Sequence, residues 1–342
     1  MPDTVPGNAP AGSAADLATL VPAVPRFGVL MNKRSGRNRS GVARVEAILA
    51  GRPDIPVHRT ARQSEAPQAL AELAASGVNV LAVNGGDGTL QMVLNVLLSA
   101  QTPFARRPLL TILPGGTTNM IAYDVGCARK PDEELKRLLA RLDAGTLVDS
   151  ILMRPAMEVS GGDIDGLTHG FFFGAAGVYE GTMANRSTVD AIGGRDGAGP
   201  AWRLLATAGK LLVGRDPVTP VEIGLTTDQE VHPRRHYLAV FGSTMQRLSL
   251  GLFPFWGEHG QGPIRLTTIH KGARRLLRRA PAILRGRAHK ALVPANGYHS
   301  QRAHELILDF AGGLVVDGEI FQAVPGRPIR IAAGPAVAFL RG

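Results

Sequence analysis

The chain has 342 residues, a formal net charge of +10 and 44% hydrophobic residues, a length that admits two domains, each with its own core. Its single cysteine, Cys127, excludes an internal disulfide framework and fits a reducing compartment. No stretch approaches the roughly 18 uninterrupted apolar residues of a spanning helix, and residues 1–25 lack the basic start and apolar stretch of a secretion signal.

Those first 25 residues, rich in Ala and Pro, are expected as a disordered tail. Strand and helix patterns then alternate. Arg26 to Asn32 reads as a strand, Gly41 to Ala50 as a helix and Ile55 to Thr60 as a second strand. A helix from about Ser64, its expected N-cap, runs to Ser76 and ends at Gly77. The apolar run Val78 to Val83 feeds a glycine loop, Asn84 to Leu90, and a helix carrying Leu90, Leu94 and Leu97. The run Leu109 to Leu113 feeds a second glycine loop, Pro114 to Asn119. A helix from Pro131 to Leu142 has Pro at its start, acids in its first turn and Gly145 beyond its end. Strands alternating with helices predict a doubly wound parallel sheet over residues 26–146.

From Gly145 the pattern changes to short strand-like runs punctuated by Gly, Pro and Asp: Leu147 to Met153, Thr168 to Phe173, Val221 to Thr226, His236 to Phe241, Ile264 to Ile269, Glu305 to Phe310, Leu314 to Val316 and Ile329 to Ala332. That spacing predicts a mainly antiparallel β-sandwich or open barrel over residues 147–342, its last segment free to pack back on the first domain. Two helical insertions, Ala201 to Val213 and Gly272 to Arg285, interrupt it.

The two glycine loops carry the strongest chemical signal. A β-branched run ending in a glycine turn and a helix start presents free backbone N–H groups at a positive helix end, a geometry that attracts phosphate. Gly85, Gly86 and Gly88 allow the backbone to approach phosphate without Cβ clashes. Asp87 is placed to reach a phosphate-bound Mg²⁺ directly or through water, and Thr89 to cap the helix or bond a phosphate oxygen. In the second loop Gly116, Thr117 and Asn119 offer hydroxyl and amide donors to phosphate or to the first loop. Thr60 stands at the carboxyl edge of the sheet, where nucleotides bind in such folds. The plainer alternative for each loop is a tight strand-to-helix turn. Asp317-Gly318, between Leu314 to Val316 and Glu319 to Phe321, likewise fits a simple hairpin turn.

Taken in order, N-x-x-S-G (Asn32, Ser35, Gly36), G-G-D-G-T (Gly85 to Thr89), L-P-x-G-T-x-N (Leu113, Pro114, Gly116, Thr117, Asn119) and D-G-E (Asp317 to Glu319) resemble the diacylglycerol kinase catalytic-domain family, which includes bacterial lipid kinases and the sphingosine and ceramide kinases. The resemblance implies an α/β nucleotide domain followed by a β-sandwich, with ATP and Mg²⁺ between them. It implies nucleotide contacts at Asn32, Ser35, Gly36, both glycine loops and their Thr and Asn residues. It also implies Asp317 as general base toward a lipid hydroxyl, Glu319 supporting the base or Mg²⁺, and Asp149 joining a metal–water network or holding structure. Two departures stand out. Lys33 replaces the family's Pro after Asn32, and with Arg34 and Arg37 it adds charge there. The loop Phe253 to Pro263, often rich in Asp in this family, has Glu258 as its only acid. NAD kinase shares the fold and the G-G-D-G-T loop, but its Asn-Glu dipeptide does not occur here. A catalytically silent lipid- or nucleotide-binding protein is the alternative from another class.

Nearly all the excess charge is local. Arg265 to Lys290 holds nine Lys or Arg and no acid, leaving +1 elsewhere. At about 100° per residue, Ala273, Leu276, Leu277, Ala280, Ile283 and Leu284 share an arc of roughly 120°. Lys271, Arg274, Arg275, Arg278, Arg279 and Arg285 lie opposite, and Pro281 should kink or split the helix. The pattern predicts an amphipathic helix lying apolar face down on an anionic membrane, with Arg274, Arg275, Arg278 and Arg279 on headgroups. A solvated surface helix is the bland alternative. No aromatic residue lies between Trp256 and Tyr298 to stack bases, so nucleic acid is not the expected partner. The reading is an ATP-dependent lipid kinase, cytoplasmic and peripheral on the membrane, with a homodimer compatible with the sequence.

Overall fold

The computed structural model describes residue 17 and residues 19–35, 38–192, 219–248 and 251–341. Gly36, Arg37, most of the expected tail and the Ala201 to Val213 segment lie outside the described residues.

Strands β1 (Phe27–Asn32), β3 (Val80–Gly85) and β4 (Leu109–Pro114) are buried along nearly their whole length, as the unbroken apolar runs of a parallel sheet covered on both faces require. They pair in parallel with β2 (Val57–Thr60) in the order β2-β1-β3-β4. On one face lie α1 (Asn38–Ala50) and α5 (Pro131–Asp143), contributing Val42, Val45, Leu49, Leu135, Leu138 and Leu139 to one core cluster. On the other lie α2 (Ala66–Ala75) and α3 (Asp87–Leu98), contributing Leu70, Leu73, Leu90, Val93, Leu94 and Leu97 to another. The short α4 (Met120–Asp124) follows the second glycine loop.

The second half is antiparallel. Strands β5 (Ile151–Ser160), β6 (Thr168–Gly170), β7 (Phe172–Ala176), β8 (Val221–Thr227), β9 (Glu230–Ser243), β10 (Ile264–His270), β11 (Tyr298–Ala303), β12 (Glu305–Asp309), β13 (Gly312–Val316) and β14 (Glu319–Ala323) enclose their own cluster, built around Phe173, Ile223, Leu266, Leu306 and Val316. The long β15 (Ile329–Leu340) pairs with β5 and β12 antiparallel and, at Phe339 opposite Leu110, with β4 in parallel. The expected fold class, a parallel α/β sheet followed by a mainly antiparallel β region, is what the chain forms, and β15 joins the two halves.

Several boundaries differ from the sequence reading for local reasons. Ser64 does not cap α2. A 3-10 turn (Gln63–Glu65) precedes that helix, and Glu65 Oε2 instead accepts the N–H groups of Ala61 and Arg62 at 2.7 and 3.2 Å. The run Thr168 to Phe173 splits at Phe171 into β6 and β7, and β11 was not foreseen, its polar H-S-Q-R centre hiding the strand. The expected tail is too long, since Leu17, Leu20 and Val21 pack against the β1 side of the core.

The basic helix, α6 (Leu276–Leu284), also begins later than expected and carries Pro281 inside it. Its apolar side is already occupied. Ala280 and Ile283 are buried, and Ile283 packs with Ile269, Leu292 and Tyr298. The apolar-face-down posture is therefore corrected. Intramolecular packing claims that face, and the exposed side of the segment carries Arg274, Arg275 and Arg278 with Leu277 53% exposed among them. Arg279 is diverted, its guanidinium 5.3 Å over the Tyr298 ring and its Nη1 donating to Ala291 O at 2.7 Å. Among the described residues no helix is long and apolar enough to cross a membrane.

Candidate nucleotide and phosphoryl-transfer site

The two glycine loops meet. Gly115 N–H donates to Gly85 O at 2.8 Å, and a Cβ on Gly116 would stand 2.4 Å from Gly86 Cα, so only glycines allow this approach. Asn119 sits in the left-handed region at φ 49° and closes its own loop, accepting the Gly116 N–H and donating to the Gly116 carbonyl, both at 2.9 Å. Thr117 is exposed beside it.

Around the first loop, Asn32 at the end of β1 donates from Nδ2 to Thr89 Oγ1 at 2.9 Å, tying that strand to the first turn of α3. Ser35 Oγ lies 3.2 Å from where a Cβ on Gly86 would be, so its hydroxyl faces the same loop. Thr60 is buried, its hydroxyl turned to Met31 O at 3.5 Å and its carbonyl accepting the Lys33 N–H at 3.2 Å. It shapes the β1 exit loop rather than presenting an open hydroxyl. Lys33 itself is half exposed, 4.0 Å from Glu46.

Asp87 opens α3 and is gripped by α4: Met120 N–H donates to Oδ2 and Ile121 N–H to Oδ1, both at 3.1 Å. The packed surroundings push its carboxyl above the usual carboxylate range, while these amides pull it down. Asp317 reaches the same place from the other half. Asp317 and Gly318, at φ 47° and 92°, form a two-residue turn of the mirror-image type between β13 and β14, which pair Val316 with Glu319. The turn reading of this dipeptide is therefore correct, but the Asp317 side chain does more than turn the chain. It is 4% exposed, with Oδ2 accepting the Phe171 N–H at 2.8 Å and Oδ1 the Phe172 N–H at 2.9 Å. Burial pushes its carboxyl up to about 8; the two amides oppose the rise and the Asp87 charge adds to it.

The hairpin presses on the first turns of α3. Gln91 Nε2 donates to Val316 O at 3.4 Å, and Glu319 Oε1 is 3.0 Å from the position of a Cβ on Gly88. Residues 230 positions apart, Asp87 and Asp317, thus face one centre. Asp149 stands apart, exposed in a 3-10 turn (Val148–Ser150), and among the described residues no hydrogen bond or ion pair joins it to the two acids. Gly36 lies outside the described residues. The sequence reading missed the backbone donors that hold the acids (Met120, Ile121, Phe171 and Phe172), because a main-chain N–H has no residue signature.

Burial raises both carboxyl groups and the Asp87 charge raises Asp317 further, so a cation placed here would relieve the repulsion. Among the described residues there is no group of three His, Cys, Asp or Glu that could cage a metal. Mg²⁺ needs none, since it is commonly held by one or two carboxylates and the substrate phosphates.

Residues 26–147 match the family model described as the diacylglycerol kinase catalytic domain. The match takes in both glycine loops and leaves the β half of the chain outside it. A probable lipid kinase YegS-like of Stenotrophomonas maltophilia (strain K279a) is 29% identical over 109 residues, a stretch spanning 32% of this chain and 35% of that relative. Among solved structures, a putative diacylglycerol kinase from Bacillus anthracis str. Sterne superposes with TM-score 0.64 at 17% identity, covering 94% of this chain and 99% of that one. A yeast NADH kinase complexed with NADH superposes with TM-score 0.50 at 13% identity, covering 93% and 84%. At such identities the two structures establish a common fold, and the fold is shared by kinases of different acceptors.

Proposed function

We propose that this protein is an ATP-dependent lipid kinase, transferring the γ-phosphoryl group of ATP to a hydroxyl of a diacylglycerol-like or a sphingoid- or ceramide-like lipid at an anionic membrane surface. The observation that carries this reading is the convergence of Asp87 and Asp317, one beside the phosphate-binding loops and the other from the β half.

In this scheme the triphosphate lies over Gly85 to Thr89 and Gly116 to Asn119, where backbone donors and the α3 N-terminus favour negative charge. The lipid hydroxyl oxygen attacks the γ-phosphorus, the bond to the bridging β,γ oxygen breaks and ADP leaves. Asp317 takes the hydroxyl proton. Its carboxyl, pushed up to about 8, is a stronger base than an ordinary carboxylate once ionised. Mg²⁺ would neutralise charge on the transferring phosphate, with Asp87 and Glu319 the side chains placed to hold it directly or through water. The remaining contribution of the chain is orientation and charge, the usual source of acceleration in phosphoryl transfer.

Membrane contact belongs to the exposed side of the basic segment. Arg274, Arg275 and Arg278 face outward with Leu277 between them, so the bases rather than the apolar stripe would meet the headgroups. Each such base near an anionic surface is worth about 1 kcal/mol. Changing the three to Gln should therefore weaken binding to phosphatidylglycerol-containing vesicles about 10²-fold. Cosedimentation that is equal for both proteins would remove this part of the reading.

The central test incubates purified protein with labelled ATP, Mg²⁺ and a panel of diacylglycerol, ceramide, sphingosine, phosphatidylglycerol and NAD. Label in a lipid is expected. Label in NADP alone would make the protein an NAD kinase, an outcome the shared fold makes worth including.

A further inference from the structure

A buried ion pair lies at the far end of α4, away from the phosphate loops. Asp124, the last residue of α4, and Arg154, in β5, are each 4% exposed. Arg154 Nε donates to Asp124 Oδ2 at 2.6 Å, while Asp124 Oδ1 accepts the N–H groups of Gln246 and Arg247 at 2.9 and 2.8 Å. Arg154 Nη2 also reaches Gln246 Oε1 at 3.3 Å, and Nη1 donates to Met153 O at 3.0 Å.

A buried ion pair is poor evidence for stability, because desolvation offsets most of the attraction and apolar replacements are often neutral. Its connections suggest another role. The opposite end of α4 holds Asp87 through the Met120 and Ile121 amides. The Gln246–Arg247 segment continues from β9, where Ser243 Oγ accepts the Met245 N–H at 3.0 Å and donates to Phe171 O at 2.7 Å. Thr244 N–H donates to the same carbonyl at 3.0 Å, and the Phe171 N–H holds Asp317. One chain of bonds therefore runs from Asp87 through α4 to Asp124, on to Gln246, Ser243 and Phe171, and ends at Asp317. It crosses between the two halves at Asp124.

We propose that Asp124, Arg154 and Ser243 are positioning residues for phosphoryl transfer, setting the separation and orientation of the Asp87 and Asp317 carboxylates through this buried chain. None of the three needs to touch substrate. The proposal rests on the kinase reading above. A misplacement of about 1 Å between reacting groups can cost on the order of 10²-fold in rate, so loosening the chain should act on turnover and spare nucleotide binding, which uses the loops.

The test uses the full chain with Arg154→Met, Arg154→Lys and Ser243→Ala, measuring lipid phosphorylation per nucleotide-binding site titrated with a fluorescent ATP analogue. Arg154→Met should lower kcat roughly 10²-fold with the KM for ATP within about threefold, and Arg154→Lys should recover part of the loss. Ser243→Ala leaves no buried charge unpaired, so it reports even if Arg154→Met fails to fold, and it should show the same split. A kcat per binding site equal to wild type in Ser243→Ala would overturn the proposal, as would a loss seen only as a lower melting temperature. If the wild-type protein labels neither a lipid nor NAD, the kinase reading fails and takes this proposal with it; an active wild type beside fully active variants defeats the proposal alone.

Discussion

Asp317→Asn tests the centre from two sides. Asn keeps the volume and tolerates the φ of 47° at this turn, so the fold should survive with a cost of about 1–3 kcal/mol from one mismatched amide. Without a base at this position the transfer rate should fall about 10²–10⁴-fold, while ATP still binds. The second side is stability. The folded carboxyl keeps its proton up to about 8, whereas an ordinary one loses it near 3.8, so the folded state holds the extra proton between those values. Wild-type stability should accordingly fall as pH rises from about 4 to about 8 and level off beyond. At ~1.4 kcal/mol per pH unit the drop attributable to this group is at most about 6 kcal/mol. Asp317→Asn lacks the group, so its stability should lose that slope. Chemical denaturation of both proteins at pH 5, 6.5 and 8, without nucleotide or Mg²⁺, measures the difference. Parallel curves across the range would refute the buried, proton-holding carboxyl, and full transfer activity in Asp317→Asn would refute its role as base.

Gly116→Ala would drive a methyl group to within 2.4 Å of Gly86 Cα, so the loops must separate. A cost of about 1–3 kcal/mol and a KM for ATP raised at least tenfold are expected, read by denaturation and initial rates. Gly88→Ala should split stability from activity: the helix gains up to about 1 kcal/mol, but the methyl, 3.0 Å from Glu319 Oε1, displaces that carboxylate, so kcat falls while the melting temperature holds or rises. Leu94→Ala, at a fully buried position of α3, should cost about 2–5 kcal/mol in urea titration and leave the KM for ATP of the folded enzyme unchanged.

What could be read from sequence was whatever repeats a local rule. The apolar runs before the glycine loops became β3 and β4, and the Pro131 start with acids in the first turn became α5 over Pro131–Asp143. Asp317-Gly318 carried its turn geometry, and the family resemblance singled out the acid that the structure turns toward Asp87. Relations made only by folding were not legible. Phe171 breaks a strand so that two amides can face Asp317, and nothing in G-F-F-F announces it. Asp124 and Arg154 lie 30 residues apart in no motif. The basic segment misled for a related reason. Helical periodicity identifies an apolar stripe but not its occupant, and here the occupant is the chain's own Ile269 and Tyr298.

The join between the two halves explains why side-chain links have to set the site. β15 pairs with β5 over nine register positions but with β4 at one, Phe339 with Leu110. A ladder so short does little to fix one half against the other, and a tilt about it would change the distance between Asp87 and Asp317, which come from opposite halves. The contacts that resist such a tilt lie on both sides of the join. Phe339 packs edge-on to Phe171 with centroids 5.9 Å apart, Leu340 O is approached by Thr111 Oγ1 and Cys127 Sγ at 3.5 and 3.4 Å, and Arg154 grips Asp124. All are buried, where packing leaves little room for intermediate positions. Phe171 belongs to both sets, packing on the join through its ring and holding Asp317 through its amide. The geometry of the acid pair therefore depends on how firmly the parallel and antiparallel halves are seated on each other, which gives the β half a part in building the proposed phosphoryl-transfer site.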